Sequence, residues 1–270
     1  MKQMMKNLIL TLAAGLLAVS CIINIGGMSW VGNCTEEGID YVDTREVAAF
    51  DAISSSLPCN VYYSQADKQE VRVESTQEFA DKVITTVEDG TLKLKLEEGR
   101  YPKLILRVVI SSPDIEGLSV SGSGNLYLKE ALHASKDLNL RVSGSGDIFA
   151  GDLDGKDFTA HVSGSGAIRA TSVACDGFEA TTSGSGHIDL ETLTAKDDAT
   201  VGVSGSGSIR LHEVIVHGDM ALKTSGSGSI HVNGRCGNVN ATTSGSGSIS
   251  GNLSHTSIHT HSSGSGHVNL

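Results

Sequence analysis

Val142-Ser143-Gly144-Ser145-Gly146-Asp147-Ile148-Phe149-Ala150 is followed twenty residues later by Val162-Ser163-Gly164-Ser165-Gly166-Ala167-Ile168-Arg169-Ala170. The Ser-Gly-Ser-Gly unit occurs eight times, starting at Ser121, Ser143, Ser163, Ser183, Ser204, Ser225, Ser244 and Ser263, with spacings of 22, 20, 20, 21, 21, 19 and 19 residues. A period in this range marks a stacked repeat. Serine–glycine composition by itself describes a flexible linker, but the flanking columns exclude that. Five residues after the first serine (position +5) stand Leu126, Ile148, Ile168, Ile188, Ile209, Ile230, Ile249 and Val268. Three residues before it (position −3) stand Leu118, Leu140, Ala160, Ala180, Val201, Leu222, Ala241 and Thr260. A linker has no reason to keep such columns.

The apolar columns at −5, −3, −1, +5 and +7 are all odd, and the even positions are polar or mixed. Period two is the signature of an extended strand with one face inward. The glycines at +1 and +3 share the inward parity, so the unit reads as a bend with glycine on the inner side and serine outside. Stacked coils of about twenty residues with strand spacing near 4.8 Å describe an all-β chain, a parallel β-helix or β-solenoid of about eight rungs. The leucine-rich repeat pattern is absent, and a propeller blade needs about forty residues.

Upstream, alternating runs at 60–63, 71–74, 83–87, 92–96 and 104–110 are broken by Asp89-Gly90, Gly99 and Pro113-Asp114. Residues 44–117 therefore read as irregular β structure that starts and caps the solenoid, with a helical turn or two within 76–82. No proline follows Pro113, which suits unbroken pairing.

The first twenty residues have signal-peptide form: Lys2 and Lys6, then an apolar run from Leu8 to Val19 that is short for a bilayer span. The run ends Leu17-Ala18-Val19-Ser20-Cys21, which resembles a bacterial lipobox and implies cleavage before Cys21 and its acylation; a plain secretory signal is the alternative. Residues 21–43 are then a tether or lead-in, and 44–270 a single domain with regular coils over 118–270. Cys34 and Cys59 are candidates for a disulfide. Cys175 and Cys236 are three rungs, roughly 14 Å, apart, beyond the reach of an S–S bond.

Chemistry is sparse. Asp147 and Asp189 occupy different columns, and the repeated serines have no adjacent base, so an enzyme acting on polysaccharides is the minor reading. His259 and His261 lie two apart on one strand and are the weak metal candidates; His187 and His267 share a column four rungs apart. No cofactor motif is present. A formal charge of −11 disfavours nucleic acid as a partner. Tyr127 and Phe149 stack at +6 and suggest an aromatic platform for a sugar, or else a patch covered by N-terminal strands. Val268-Asn269-Leu270 falls within a strand, so the last rung is either frayed or docks against another subunit or partner, as in end-to-end self-association through the C-terminal rung.

The order of motifs is specific. A lipoprotein-type signal precedes Phe50-Asp51-Ala52-Ile53, then Val61-Tyr62-Tyr63-Ser64-Gln65, Val71-Arg72-Val73-Glu74, Asp89-Gly90-Thr91-Leu92-Lys93-Leu94, and the Ser-Gly-Ser-Gly coils. The chain resembles the bacterial family called putative auto-transporter adhesin, head GIN domain, over roughly residues 44–255. The resemblance implies a right-handed β-helix-like fold, export, and frequent occurrence as an outer-membrane lipoprotein in the envelope of diderm bacteria. It brings no catalytic motif. The expected role is a non-enzymatic adhesion, interaction or structural module with a protein or glycan ligand, touching the membrane only through the anchor.

Overall fold

The computed structural model describes residues 30–270. The signal segment 1–20 and Cys21 lie outside the described residues. Two long sheets, of 14 and 11 strands, carry almost every strand. Each Ser-Gly-Ser-Gly unit is the corner where the chain passes from one sheet to the other. Coil 3, for example, enters on Phe158–Val162 and leaves on Ala167–Cys175. Equivalent strands pair in parallel from coil to coil with the repeat columns in register: Ile148 with Ile168, Ile168 with Ile188, Ile188 with Ile209.

The apolar columns form the core. Leu126, Ile148, Ile168, Ile188, Ile209, Ile230 and Ile249 are each 0% exposed. Phe158 and Phe178 stack one above the other in the −5 column, centroids 5.8 Å apart. Burial of one such aliphatic side chain contributes about 1.5–3 kcal/mol, and no single coil can achieve it without its neighbours.

Two further inward columns lie beyond the reach of the alternation. In coil 3, Ala170 is buried, Thr171 and Ser172 are not, and Val173 is buried again. The ladder skips the same place, pairing Ala150 with Ala170 and then Asp152 with Ser172. The strand bends there, the parity shifts, and Leu153, Val173, Leu193 and Val214 form one further core row and Cys175, Ala195 and Val216 the other. The bend also absorbs length variation: Leu211 and Val214 pair with Val232 and Gly234, one residue fewer.

Segment 44–117 starts and caps the solenoid, but it is less irregular than its composition suggests. Ala52–Ser55 and Val61–Gln65 pair in parallel with coil 1 and form a further coil. Its corner is Ser56-Leu57-Pro58-Cys59, where later coils have Ser-Gly-Ser-Gly. Thr91–Leu96 and Leu104–Ser112 lie beyond it as the outermost coil, pairing in parallel with 52–55 and 61–65. The coil laid down first in the chain is therefore covered on both sides. Glu70–Ser75 and Val83–Glu88, joined through the short helix Gln77–Ala80, close this end as antiparallel strands. Ten coils at strand spacing make a rod of about 43 Å.

The lead-in is more than a tether. Trp30–Val31, Cys34–Thr35 and Tyr41–Arg45 each pair with the body. A disulfide joins Cys34 to Cys59, Cα atoms 5.7 Å apart, at the corner of the coil that comes first in the chain. At the other end, Ser257–Gly264 pairs along its whole length with Asn238–Gly245, while its own side chains are exposed.

The corner glycines have a cause different from an inward bend alone. In coils 1 to 7 the second glycine is buried, but the first is buried only in coil 1, half-buried in coils 2 to 5 and exposed in the last three. What forbids a side chain is the adjacent coil. A Cβ on Gly166 would stand 2.0 Å from the carbonyl oxygen of Gly146, and one on Gly144 would stand 2.1 Å from that of Gly122. The first glycine also changes conformation along the rod. From coil 5 onward it has positive φ, beginning with Gly205 at +130°, and the entering strand runs on through it.

The opposite turn is stapled by side chains. Asp157 accepts the Gly177 N–H at 3.0 Å, Asp198 the Asp219 N–H at 2.8 Å, and Asp219 the Asn238 N–H at 2.8 Å. Each carboxylate thus satisfies a backbone donor of the next coil where the strand ladder is interrupted. The backbone hydrogen bond from Asn238, with that from its side chain, holds the Asp219 carboxyl below its ordinary value.

Three outcomes follow from this arrangement. Gly166→Ala should destabilise the fold by about 3 kcal/mol or more through its backbone collision. Gly151→Ala, where nothing lies within 4 Å, should be neutral or slightly stabilising; thermal unfolding of the pair measures the contrast. Thiol titration of denatured, unreduced 22–270 protein should count only Cys175 and Cys236, and Cys59→Ser should cost on the order of 3 kcal/mol; a count of four thiols would remove the disulfide. Asp219→Ala should lower the melting temperature at neutral pH. Because its folded pKa lies below the ordinary 3.8, that contribution is present above this value and is lost as pH falls through the folded one. The two melting temperatures should therefore converge in acid.

Candidate functional site

With a filled interior, recognition falls to the outward columns. On the 14-stranded sheet the +6 column begins as an aromatic ladder. Tyr62 of the coil 52–65 stacks on Tyr127 at 5.3 Å, and Tyr127 on Phe149 at 5.0 Å with planes 7° apart. Arg169 continues the column, its guanidinium 5.2 Å from the Phe149 centroid, and Lys129 lies over Tyr62. The ring faces are spent on one another and on these cations, so the row turns its edges outward. A sugar stacks on a ring face, and the ladder offers none between Tyr62 and Phe149. The lead-in also seats against its end: Glu36 accepts hydrogen bonds from Tyr62 at 2.7 Å and Asn60 at 2.8 Å, and pairs with Arg107 at 3.2 Å. Burial alone would raise the Glu36 carboxyl, but these three partners together hold it below the usual carboxylate range.

The carboxylates considered for catalysis are engaged elsewhere. Asp147 accepts the Ala167 N–H at 2.7 Å and pairs with Arg169 at 2.6 Å. Asp189 accepts from His212 Nε2 at 2.8 Å. They act as clasps between coils. His187 pairs with Ser208 at 3.1 Å in the same manner. His259 and His261 are both exposed on Ser257–Gly264, and among the described residues no group of three His, Cys, Asp or Glu is placed to hold a metal. Burial raises the Cys175 thiol to about 12 and the Cys236 thiol to about 11, so neither is a nucleophile near neutral pH.

The 11-stranded sheet carries a groove of about 470 Å³, open to solvent, along the serine corners of coils 4 to 7. Its floor follows the −2 column, in which His161, Thr181, Gly202, Lys223 and Thr242 are successive partners. His161 Nδ1 and the Thr181 hydroxyl are 2.8 Å apart. Ser183, Ser204 and Ser225 form the rim. Sequence reading passed over this surface because −2 is an even, mixed column. Its one signal is Gly202, a glycine outside any corner.

The family model for "Putative auto-transporter adhesin, head GIN domain" matches residues 49–215. No functionally curated protein matches the chain. Solved structures show the same fold. One from Parabacteroides merdae ATCC 43184, described as a putative adhesin, has a TM-score of 0.74 at 18% identity, covering 86% of this chain and 96% of its own. One from Parabacteroides distasonis ATCC 8503, described as a putative lipid binding protein, has a TM-score of 0.69 at 21% identity, covering 88% and 99%. A third, from Bacteroides fragilis NCTC 9343 and described as a putative adhesin, has a TM-score of 0.60 at 20% identity, with the same coverage. The family match spans the coil 52–65, the capping strands and the first Ser-Gly-Ser-Gly coils, the parts that define the architecture, and the chain belongs to the head GIN domain family.

Proposed function

We propose that this protein is an exported, lipid-anchored, non-enzymatic interaction module of the bacterial cell envelope, binding a protein or glycan along the side of the rod. The observation that carries this reading is the division of labour within each coil. Inward columns are apolar and close-packed, with most members at 0–1% exposure. Outward columns change from coil to coil on a rigid backbone. Such a body displays side chains at fixed spacing and holds little room for an acyl chain or an enclosed substrate. The acidic surface and the Cys34–Cys59 disulfide suit an oxidising compartment outside the cytosol. Anchoring rests on the Leu17-Ala18-Val19-Ser20-Cys21 signal, and stable attachment requires more than one acyl chain.

The experiment is metabolic labelling of the full-length protein in a diderm host with an alkyne-bearing fatty acid. Wild type should take up label and sediment with envelope membranes, and Cys21→Ala should do neither. An unlabelled wild-type protein would overturn the anchor. Intact protein displayed on beads should retain envelope or host-surface proteins or glycoconjugates more than beads bearing heat-unfolded protein; equal retention of both classes would overturn the interaction role.

A further inference from the structure

Gly202 stands in mid-strand, within Ala199–Gly205, where the fold makes no demand for glycine. Its φ is not positive, and a Cβ built there would meet only the Thr181 methyl at 3.4 Å, an ordinary contact. This separates it from the corner glycines, which backbone carbonyls enforce. Mid-strand glycine costs stability, about 0.5–1 kcal/mol relative to alanine. What it produces is a notch. On either side the column rises to Thr181 and Lys223, two coil steps or about 10 Å apart, and the groove along the serine corners opens over it.

The lining has a definite chemistry. Thr242 and the rim serines present hydroxyls that both donate and accept, while the Thr181 hydroxyl is paired with His161 and its methyl faces the notch, suited to the C–H face of a sugar ring. Lys223 is exposed and has no carboxylate partner among the described residues. Arg141, exposed and likewise without an ion pair, lies in the same column four coils away, about 19 Å. A net charge of −11 repels a polyanion at long range, so recognition here rests on close contact with Lys223, where salt screens the distant charges. The acidic group on this face nearest the notch is Glu179, two positions before Thr181 on the same strand.

We infer that the Gly202 notch, between Thr181 and Lys223, is a subsite for an anionic glycan, with a sugar ring over Gly202 and its carboxylate or sulfate on Lys223. This rests on the interaction-module reading and specifies its ligand class. A charge-assisted hydrogen bond from an ammonium to an acid group adds both affinity and direction.

The test is titration of the intact protein with hyaluronan oligosaccharides (carboxylate only), heparin oligosaccharides (sulfate and carboxylate) and neutral dextran at low and physiological salt. Wild type should bind at least one anionic probe at physiological salt, where the net charge is screened, and should not bind dextran. Gly202→Val, which fills the notch with a strand-compatible side chain, and Lys223→Gln should each weaken binding about ten-fold or more, with melting temperatures near wild type. Gly202→Ala should weaken it less. Binding of heparin alone assigns sulfate as the recognised group, and binding of hyaluronan assigns carboxylate. Absence of binding to both anionic probes, or Gly202→Val and Lys223→Gln variants that bind as wild type does, would overturn the subsite. If wild type and both variants retain surface glycoconjugates on beads equally, the module reading stands and this site falls.

Discussion

Everything in this molecule depends on how closely one coil lies upon the next at the Ser-Gly-Ser-Gly corner. There the carbonyl of one coil occupies the space in which a side chain of the following coil would stand, 2.0 Å from the Cβ position of Gly166. Only hydrogen fits. That approach keeps successive strands in register, and register in turn stacks isoleucine on isoleucine through the core. A residue that spread two coils at the corner would loosen the ladder on both sheets, because each corner joins them.

Stacking transmits order but does not start or end it. An open coil presents unpaired strand edges, which template further pairing. At one end the chain solves this by insertion. The coil 52–65 is held between coil 1 and the segment 91–112, which comes later in the chain, and antiparallel strands seal the outside. The disulfide fixes Cys34 to the corner of that first coil, where Ser56-Leu57-Pro58-Cys59 replaces the glycine unit. With its glycines replaced and a covalent staple in their place, this corner gains a tie to the lead-in that later corners lack. At the turns, a column of aspartates takes over donors that the strands leave unpaired, so part of the acidic composition has a structural use.

The core rows bury nearly the same chemistry in every coil, and the outward rows are free to differ. The aromatic ladder, the Asp147–Arg169 and Asp189–His212 clasps, and the glycine notch are local variations on identical backbone. Neighbouring outward residues interact mainly with the coil above or below, so function can be changed in one row without disturbing the interior. The scaffold and whatever its surface does are thus physically separable.

Period, parity and glycine spacing were legible in the residues alone, because coil-to-coil contact imposes the same demand every twenty residues or so. The Ile column, the strands near 71–74 and 104–110 and the short helix near Gln77 all appear where alternation and turn residues place them. The row through Val173 escaped because the bend at Thr171 breaks the alternation by one residue. The coil at 52–65 escaped because its corner lacks the glycine signature, and its place in the stack depends on a partner, 91–112, that comes later in the chain. The aromatic column was visible, but the occupation of its ring faces was not, since Tyr62 lies outside the repeat. Sequence determined the repeating unit, whose constraints are local and recur. Tertiary structure decided the order of the first coils, the disulfide's setting and the identity of the groove, because each depends on residues brought together from distant parts of the chain.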